Sequence, residues 1–250
     1  DCIGSSSVDF SIILKRWRSI YPDSRVLIVT RAQHQLLYSL YGQLVMAGYS
    51  EGPDEFLRSS VWDSQQSIWG RLCFDRIFEM ACSEFERVKV IPYELIRTFE
   101  PFLSELNSFF GKTVHIDIPD VVRRSPPGSR IIAMRHLNRI FRHGMGLPSE
   151  SRKPGYVVGY GRNIVNRIDL PEFPDSRRKL IRVWSHRLGT IFAKSNSFRN
   201  DFYRRALPIC SEQFGASNHR LQKIMGIDLS ELGYPGMDSN VSADGYILES

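Results

Sequence analysis

A short run of β-branched residues limits most strongly what this chain can fold into. The segment from Arg25 to Arg31 reads Arg-Val-Leu-Ile-Val-Thr-Arg, which is apolar through its centre and has the length of one strand. Continuous apolar runs are typical of strands buried on both faces of a parallel sheet, whereas half-exposed strands alternate apolar and polar residues. We therefore expect a parallel strand here, and parallel strands require long crossovers, usually helical.

Helical patterns surround this strand on both sides. Helical spacing of apolar residues is found at Ile12, Ile13, Trp17 and Ile20, at Leu36, Leu37, Leu40 and Leu44, across 62–85, and at Phe102, Leu103, Leu106, Phe109 and Phe110. Turn residues at 21–24 end the first helix and Gly111 ends the last, while Val88–Tyr93 predicts a second strand. Strands separated by helices predict an α/β fold, a layered parallel sheet flanked by helices.

The length of 250 residues is that of one domain with a single core. We assign residues 1–236 to this domain and expect 237–250 to be a polar, flexible tail. Helices are expected near Ser176 and from Phe198 to Met225. The stretch 117–173 is rich in Arg, Pro and Gly and only weakly periodic, which indicates an insertion or lid.

The positive charge is concentrated in the second half of the chain. Residues 121–187 contain 15 Lys and Arg against four Asp and Glu, a net charge of +11, whereas the remainder of the chain has a net charge of −5. Such a block attracts anions such as phosphorylated or sulfated ligands, acidic glycans or nucleic acid. The alternative is a solvated arginine-rich surface without a ligand.

The sequence has no membrane-spanning run and no metal motif. No apolar stretch approaches the roughly 18 to 20 residues of a spanning helix, and no secretory leader opens the chain. Cys2, Cys73, Cys82 and Cys210 form no Cys-x-x-Cys pair and have no zinc spacing, so we expect free thiols. These features predict a soluble, cytoplasmic protein without a bound metal.

An arginine and a serine are placed where a parallel sheet binds anions. Ligands collect beyond the carboxyl ends of parallel strands, next to helix N-termini. Arg31 ends the predicted strand, and Ser39 follows eight residues later in the next helix. A guanidinium matches two phosphate oxygens and a hydroxyl adds one directed donor. Together they could bind one phosphate.

The same residues resemble a known family. The segment 21–31, followed by Leu36-Leu-Tyr-Ser-Leu-Tyr41, resembles the 3'-phosphate-binding strand and helix of sulfotransferases of the bacterial and carbohydrate-modifying kind. There an arginine ends the strand and a serine eight residues later completes the phosphate site, which implies these roles for Arg31 and Ser39. Val88–Leu95 is similar to the family's strand ending in Tyr-Glu-x-Leu, with Ile96 in place of that leucine, and implies that Tyr93 lies beside the adenine.

The resemblance covers about residues 12–115 and 198–236. Near its end, the segments 214–221, 226–229 and Gly233-Tyr-Pro235 are similar to the closing helix and tail of bacterial members. Between the two regions, Ser151-Arg-Lys-Pro-Gly155 resembles an Arg-Lys-Gly element that covers the 3'-phosphate, which implies nucleotide contacts for Arg152 and Lys153.

The chain departs from the family at its start. The family binds the 5'-phosphosulfate in a strand-loop-helix that should precede Arg31 by many tens of residues, and here only 30 precede it. Residues 3–7 offer hydroxyls but no basic side chain. Since the sequence begins at Asp1 rather than at a methionine, we expect it to correspond to the C-terminal two-thirds of the family fold.

The resemblance implies transfer of a sulfuryl group from 3'-phosphoadenosine-5'-phosphosulfate to a hydroxyl or amine of a glycan, lipid or small metabolite. The alternative is a non-catalytic nucleotide- or polyanion-binding protein on a degenerate version of this fold. A phosphotransferase would need a Gly-x-x-x-x-Gly-Lys-Ser/Thr loop, which is absent. His34 is expected to be an exposed histidine at a helix start rather than a base. An anionic acceptor would suit the arginines Arg123, Arg124, Arg130, Arg135, Arg139 and Arg142, and no nucleic-acid recognition motif is present.

Overall fold

A computed structural model describes residues 10–46, 48–58, 72–114, 126–144 and 195–237. In chain order these residues form α1 (Phe10–Ile20), β1 (Arg25–Thr30), α2 (Gln33–Met46), α3 (Pro53–Arg58), α4 (Phe74–Glu84), β2 (Arg87–Pro92), a 3-10 helix (Tyr93–Thr98), α5 (Glu100–Phe110), α6 (Gly128–Gly144) and α7 (Ser195–Met225). The helix expected near Ser176 and residues 238–250 of the predicted tail lie outside the described residues, whereas Met237, the first residue of that predicted tail, is buried in the core.

The two predicted strands form a parallel pair, as the sequence indicated. β1 and β2 are aligned along their whole lengths, and Thr30 lies opposite Pro92 at their carboxyl ends. The crossover between them contains α2, α3 and α4, so the described part of the chain is a mixed helix and parallel-strand structure, compatible with an α/β fold.

The prediction that β1 is buried on both faces is wrong in detail. Its residues 25–28 are half-buried, Val29 is 46% exposed, and only Thr30 is fully buried. β1 pairs with β2 alone among the described residues, so side chains along its other edge stay partly exposed although helices pack on both faces.

Helices pack on both faces of the strand pair. On one face, α1 and α4 form a small core of Leu14, Ala81 and Phe85 against the β1 side chains Val26 and Ile28. On the other face, α5 packs Phe102 and Leu106 against Ile91 and Leu27. Gly111 ends α5 with a φ of 65°, in the left-handed region that the sequence prediction required of it.

The main core surrounds α2. This helix packs against α6 and α7, and ten of its fourteen residues are buried, so it is enclosed on nearly every side. An aromatic cluster forms its centre, where Phe202 of α7 contacts the rings of Tyr38, Tyr41 and Phe56 at centroid distances of 5.5, 5.5 and 6.3 Å. The helix that positions the candidate site is thus fixed by its surroundings and not by one apolar stripe.

Helix α6 lies inside the stretch 117–173, whose weak periodicity indicated an insertion or lid. Its apolar residues Ile131, Ala133 and Met134 are buried, and Asn138 donates hydrogen bonds to the carbonyl oxygens of Val45 and Tyr49 at the end of α2. The lid assignment stays a prediction, but 128–144 is a regular helix that packs on the core.

Three cysteines lie among the described residues, and all three are free thiols: Cys73, Cys82 and Cys210. Cys210 is buried and Cys82 is exposed. A search of the described helices finds none with the length and apolar character needed to span a bilayer.

Candidate functional site

The carboxyl edge of the strand pair brings Arg31 and Tyr93 together. Each is the first residue after its strand. Because Thr30 and Pro92 are aligned, the two segments that follow the strands leave the sheet side by side. The guanidinium carbon of Arg31 lies 5.0 Å from the centroid of the Tyr93 ring. This is a cation–π distance, so each side chain restricts the other.

Ser39 lies on the same face of α2 as Gln35, the residue that contacts Arg31. The Nε of Arg31 donates to the Oε1 of Gln35 at 3.3 Å, and Ser39 follows Gln35 by four residues, which is one helical turn. Gln35 was not predicted, and it orients the guanidinium. Within the described ranges, the two Nη nitrogens of Arg31 have no hydrogen-bond partner, so this fork of donors is available.

Glu94 is a site residue that sequence reasoning missed. Its Oε1 accepts the backbone N–H of Ala32 at 3.1 Å, and its Oε2 accepts the hydroxyl of Tyr234 at 3.4 Å. Burial raises the pKa of the Glu94 carboxyl, while these donors and the charge of Arg31 oppose that shift. The sequence feature that could have revealed Glu94 is its position directly after Tyr93, in the Tyr-Glu pair of the family motif.

Tyr234 brings the C-terminal segment back to the same edge. Its hydroxyl lies 2.8 Å from the Oγ1 of Thr30, and both side chains are buried. Burial, together with the nearby Glu94 carboxyl, raises the pKa of Tyr234 far above its ordinary value, so the hydroxyl keeps its proton. The Gly-Tyr-Pro sequence was recognised as a similarity only, without a role for its tyrosine.

A second buried polar pair holds the start of α2 against α7. The Nε2 of Gln33 donates to the Oδ1 of Asn218 at 2.7 Å, and the Nδ2 of Asn218 donates to the Oε1 of Gln33 at 3.2 Å. The same Nδ2 also donates to the carbonyl oxygen of Pro235 at 2.8 Å. These amides satisfy each other in the interior and fix Gln33, two residues after Arg31, and Pro235, the residue after Tyr234.

His34 is not the exposed histidine that the sequence predicted. It is fully buried, and its ring meets that of Tyr203 edge to face at a centroid distance of 4.8 Å. The prediction is wrong because α7 covers the first turn of α2, which a polar Gln-His-Gln sequence does not reveal. Burial and the charge of Arg31 lower the pKa of His34 from 6.5 to about 3, so it is neutral and a weak base.

Two described arginines of the basic stretch, Arg135 and Arg139, lie toward the end of α2 opposite to Arg31. Arg135, His136 and Arg139 of α6 line a cleft of about 410 Å³ with Glu51 and Glu55. This cleft follows the C-terminal end of α2, whereas Arg31 precedes its N-terminal end. A helix of 14 residues is about 21 Å long, so the two places are separated by about that distance.

Several predicted residues cannot be placed in this geometry. Arg123, Arg124, Arg152 and Lys153 lie outside the described residues, as does the side chain of Arg142. Among the described side chains, no group of three His, Cys, Asp or Glu residues could hold a metal ion.

Comparison with known proteins identifies no relative of this chain. No protein-family model, no curated protein and no solved structure matches the chain significantly.

Proposed function

We propose that the protein binds the 3'-phosphate end of 3'-phosphoadenosine-5'-phosphosulfate and that its fold is the layered sheet of a sulfotransferase. The observation that carries the proposal is the pairing of Arg31 with Tyr93 at the carboxyl edge of the two parallel strands, with the Nη nitrogens of Arg31 available. A phosphate monoester fits such a fork in a bidentate manner. An aromatic ring beside it suits a purine.

The reaction proposed for this nucleotide is transfer of a sulfuryl group to a hydroxyl or amine of a glycan, lipid or small metabolite. The acceptor atom forms a bond to sulfur as the bond from sulfur to the bridging phosphate oxygen breaks. The acceptor loses its proton to a base, and the electron pair remains on the bridging oxygen as adenosine 3',5'-bisphosphate leaves. Positive groups are needed at that oxygen. The residues described above bind and orient the nucleotide's 3' end.

Arg31→Ala should weaken the binding of adenosine 3',5'-bisphosphate by about 1.5 to 3 kcal/mol, the range for a hydrogen bond to a charged group. Ser39→Ala should cost less, because a neutral hydroxyl donor is weaker. Isothermal titration calorimetry measures both. Arg87→Ala is the matched control, since Arg87 is an exposed arginine at the amino end of β2, on the opposite edge of the sheet.

Two results would count against the assignment. One is equal affinity of the unmodified protein for adenosine 5'-monophosphate, which lacks the 3'-phosphate. The other is an Arg31→Ala variant that binds the bisphosphate as tightly as the Arg87→Ala control does.

A second candidate function is polyanion binding without catalysis. It is favoured by the placement of Arg135 and Arg139 toward the end of α2 opposite to Arg31, because arginines there can bind an acidic polymer independently of the nucleotide, even though Glu51 and Glu55 line the same cleft. The two functions are compatible if the polymer is the acceptor.

Reversing both arginines, Arg135→Glu with Arg139→Glu, should reduce binding of dextran sulfate and leave nucleotide binding intact. Affinity of the unmodified protein should also fall steeply with salt, since exposed charges are screened within about 8 Å at physiological ionic strength. Fluorescence anisotropy at low and high salt measures this. A double reversal of the exposed Arg204 and Lys223 on α7 controls for net charge, and equal losses in both double variants would exclude a specific surface on α6.

A further inference from the structure

Three hydrogen bonds form a ring around the backbone of Arg31. Thr30, the residue before it, shares a hydrogen bond of 2.8 Å with the hydroxyl of Tyr234. That hydroxyl lies 3.4 Å from one oxygen of Glu94, and the other oxygen accepts the N–H of Ala32, the residue after Arg31, at 3.1 Å. The ring therefore fixes the chain on both sides of the arginine.

The donors and acceptors of the ring are consistent with one another. The Thr30 hydroxyl donates to Tyr234, the Tyr234 hydroxyl donates to Glu94, and the Ala32 N–H donates to the second Glu94 oxygen. A tyrosine with a raised pKa keeps the proton that this order requires. Thr30, Ala32 and Tyr234 are each at most 2% exposed, so the Thr30–Tyr234 bond is shielded from water, while Glu94 is half-buried.

Tyr234 is itself held by α7. Asn218 donates to the carbonyl oxygen of Pro235, the next residue, at 2.8 Å. Gly236 packs directly on Gly215, where a Cβ would come within 2.5 Å of the Gly215 Cα. The hydroxyl that closes the ring is therefore presented by a segment anchored to the longest described helix.

We propose that Tyr234 is a positioning residue that acts on nucleotide selection through Thr30 and Glu94. By fixing the backbone on both sides of Arg31, it sets the direction in which the guanidinium leaves the sheet. It thereby determines how strongly the site prefers a nucleotide with a 3'-phosphate over one without. The inference rests on the proposed function, in that Arg31 is taken to bind that phosphate.

The hydroxyl also keeps Glu94 from competing with the phosphate. Glu94 is close enough to Arg31 for their charges to interact. While Tyr234 and Ala32 donate to its two oxygens, the carboxylate is satisfied in place. Removing the Tyr234 hydroxyl leaves one oxygen of the half-buried Glu94 without this donor, and the cation whose charge already acts on that carboxyl is Arg31.

Tyr234→Phe removes the hydroxyl and keeps the ring packing. The readout is the ratio of the affinities for adenosine 3',5'-bisphosphate and adenosine 5'-monophosphate, measured by calorimetry on the 250-residue chain. We expect this ratio to fall about tenfold, the value of one hydrogen bond of about 1.4 kcal/mol. Thr30→Val should lower it in the same direction.

Glu94→Gln provides the rescue that a purely structural role would not give. The glutamine oxygen can still accept from Ala32, and the neutral amide no longer competes for Arg31. The double variant Tyr234→Phe with Glu94→Gln should therefore recover part of the ratio. Tyr41→Phe is the matched control, because Tyr41 is also buried and its hydroxyl donates to the Glu51 carbonyl oxygen at the far end of α2.

The outcomes separate the two proposals. If the unmodified protein has no preference for the 3'-phosphate, the proposed function fails. If that preference exists but Tyr234→Phe keeps it, or lowers both affinities equally, the positioning role is overturned while the proposed function stands. If Tyr234→Phe does not fold, the ratio of the two nucleotide affinities is measured for Thr30→Val instead, and an unchanged ratio overturns the positioning role.

Discussion

Gly236→Ala should lower the free energy of unfolding by about 3 kcal/mol. Gly236 has a φ of 74°, a left-handed conformation that costs a residue with a Cβ about 1 to 2 kcal/mol. The added Cβ would also lie 2.5 Å from the Gly215 Cα and 2.9 Å from the Ser211 carbonyl oxygen, both backbone atoms of α7. Neither can move without distorting the helix, which adds about 1 to 3 kcal/mol.

Gly226→Ala is the matched control for this prediction. Gly226 has a similar φ of 65°, but a Cβ there meets no atom within 4 Å. It should therefore cost about 1 kcal/mol, the conformational part alone. Urea unfolding followed by circular dichroism measures both variants. Equal losses would mean that the contact of Gly236 with Gly215 does not bear on stability.

Acid should destabilise the protein through His34. A histidine whose folded pKa is about 3 and whose unfolded pKa is 6.5 takes up a proton on unfolding anywhere between these values. Its contribution to stability is complete above pH 6.5 and is lost as the pH falls toward 3. At 1.36 kcal/mol per pH unit, the loss between pH 7 and pH 4 amounts to about 3 kcal/mol.

The measurement compares pH dependence rather than absolute stability. Urea unfolding at pH 7, 5.5 and 4 gives the free energy of unfolding as a function of pH. This free energy should change less steeply with pH for His34→Phe than for the unmodified protein, whatever the variant's stability at pH 7. His219→Gln is the matched control for replacing a histidine elsewhere in the fold, since His219 is an exposed residue of α7. The Glu94 carboxyl opposes the effect of His34 on the free energy of unfolding, because a carboxyl whose pKa is raised in the folded state stabilises the fold at low pH. Identical slopes for all three proteins would contradict the burial of a neutral His34.

Features encoded by neighbouring residues could be predicted from the sequence. The apolar run at β1, the turn residues that end α1 and the glycine that ends α5 act within a few residues of themselves. Local sequence therefore predicted the strands and most of the described helices. Arg31 was singled out for the same reason, since a strand end is a local feature, whereas Tyr93 was singled out by the family resemblance, and parallel pairing brings the two strand ends together.

Features that depend on distant parts of the chain were missed. The first turn of α2 looks polar, yet α7 buries it, so His34 was given the wrong environment. Helix α6 exposes His136 and Arg139, and such polar residues obscured the few apolar residues that contact the core. Glu94 and Tyr234 are 140 residues apart, and no local pattern announces their hydrogen bond.

The long separation of these partners has a consequence for the order of folding. Thr30 and Tyr234 are 204 residues apart, so their bond closes one of the largest loops that this chain can form. Contacts between residues so far apart in the sequence form late, because the entropic cost of closing the loop must be overcome first. During synthesis from the N-terminus, Arg31 leaves the ribosome long before Tyr234 exists. A nascent chain therefore carries the arginine without its final geometry, which is completed only when Tyr234 has been made.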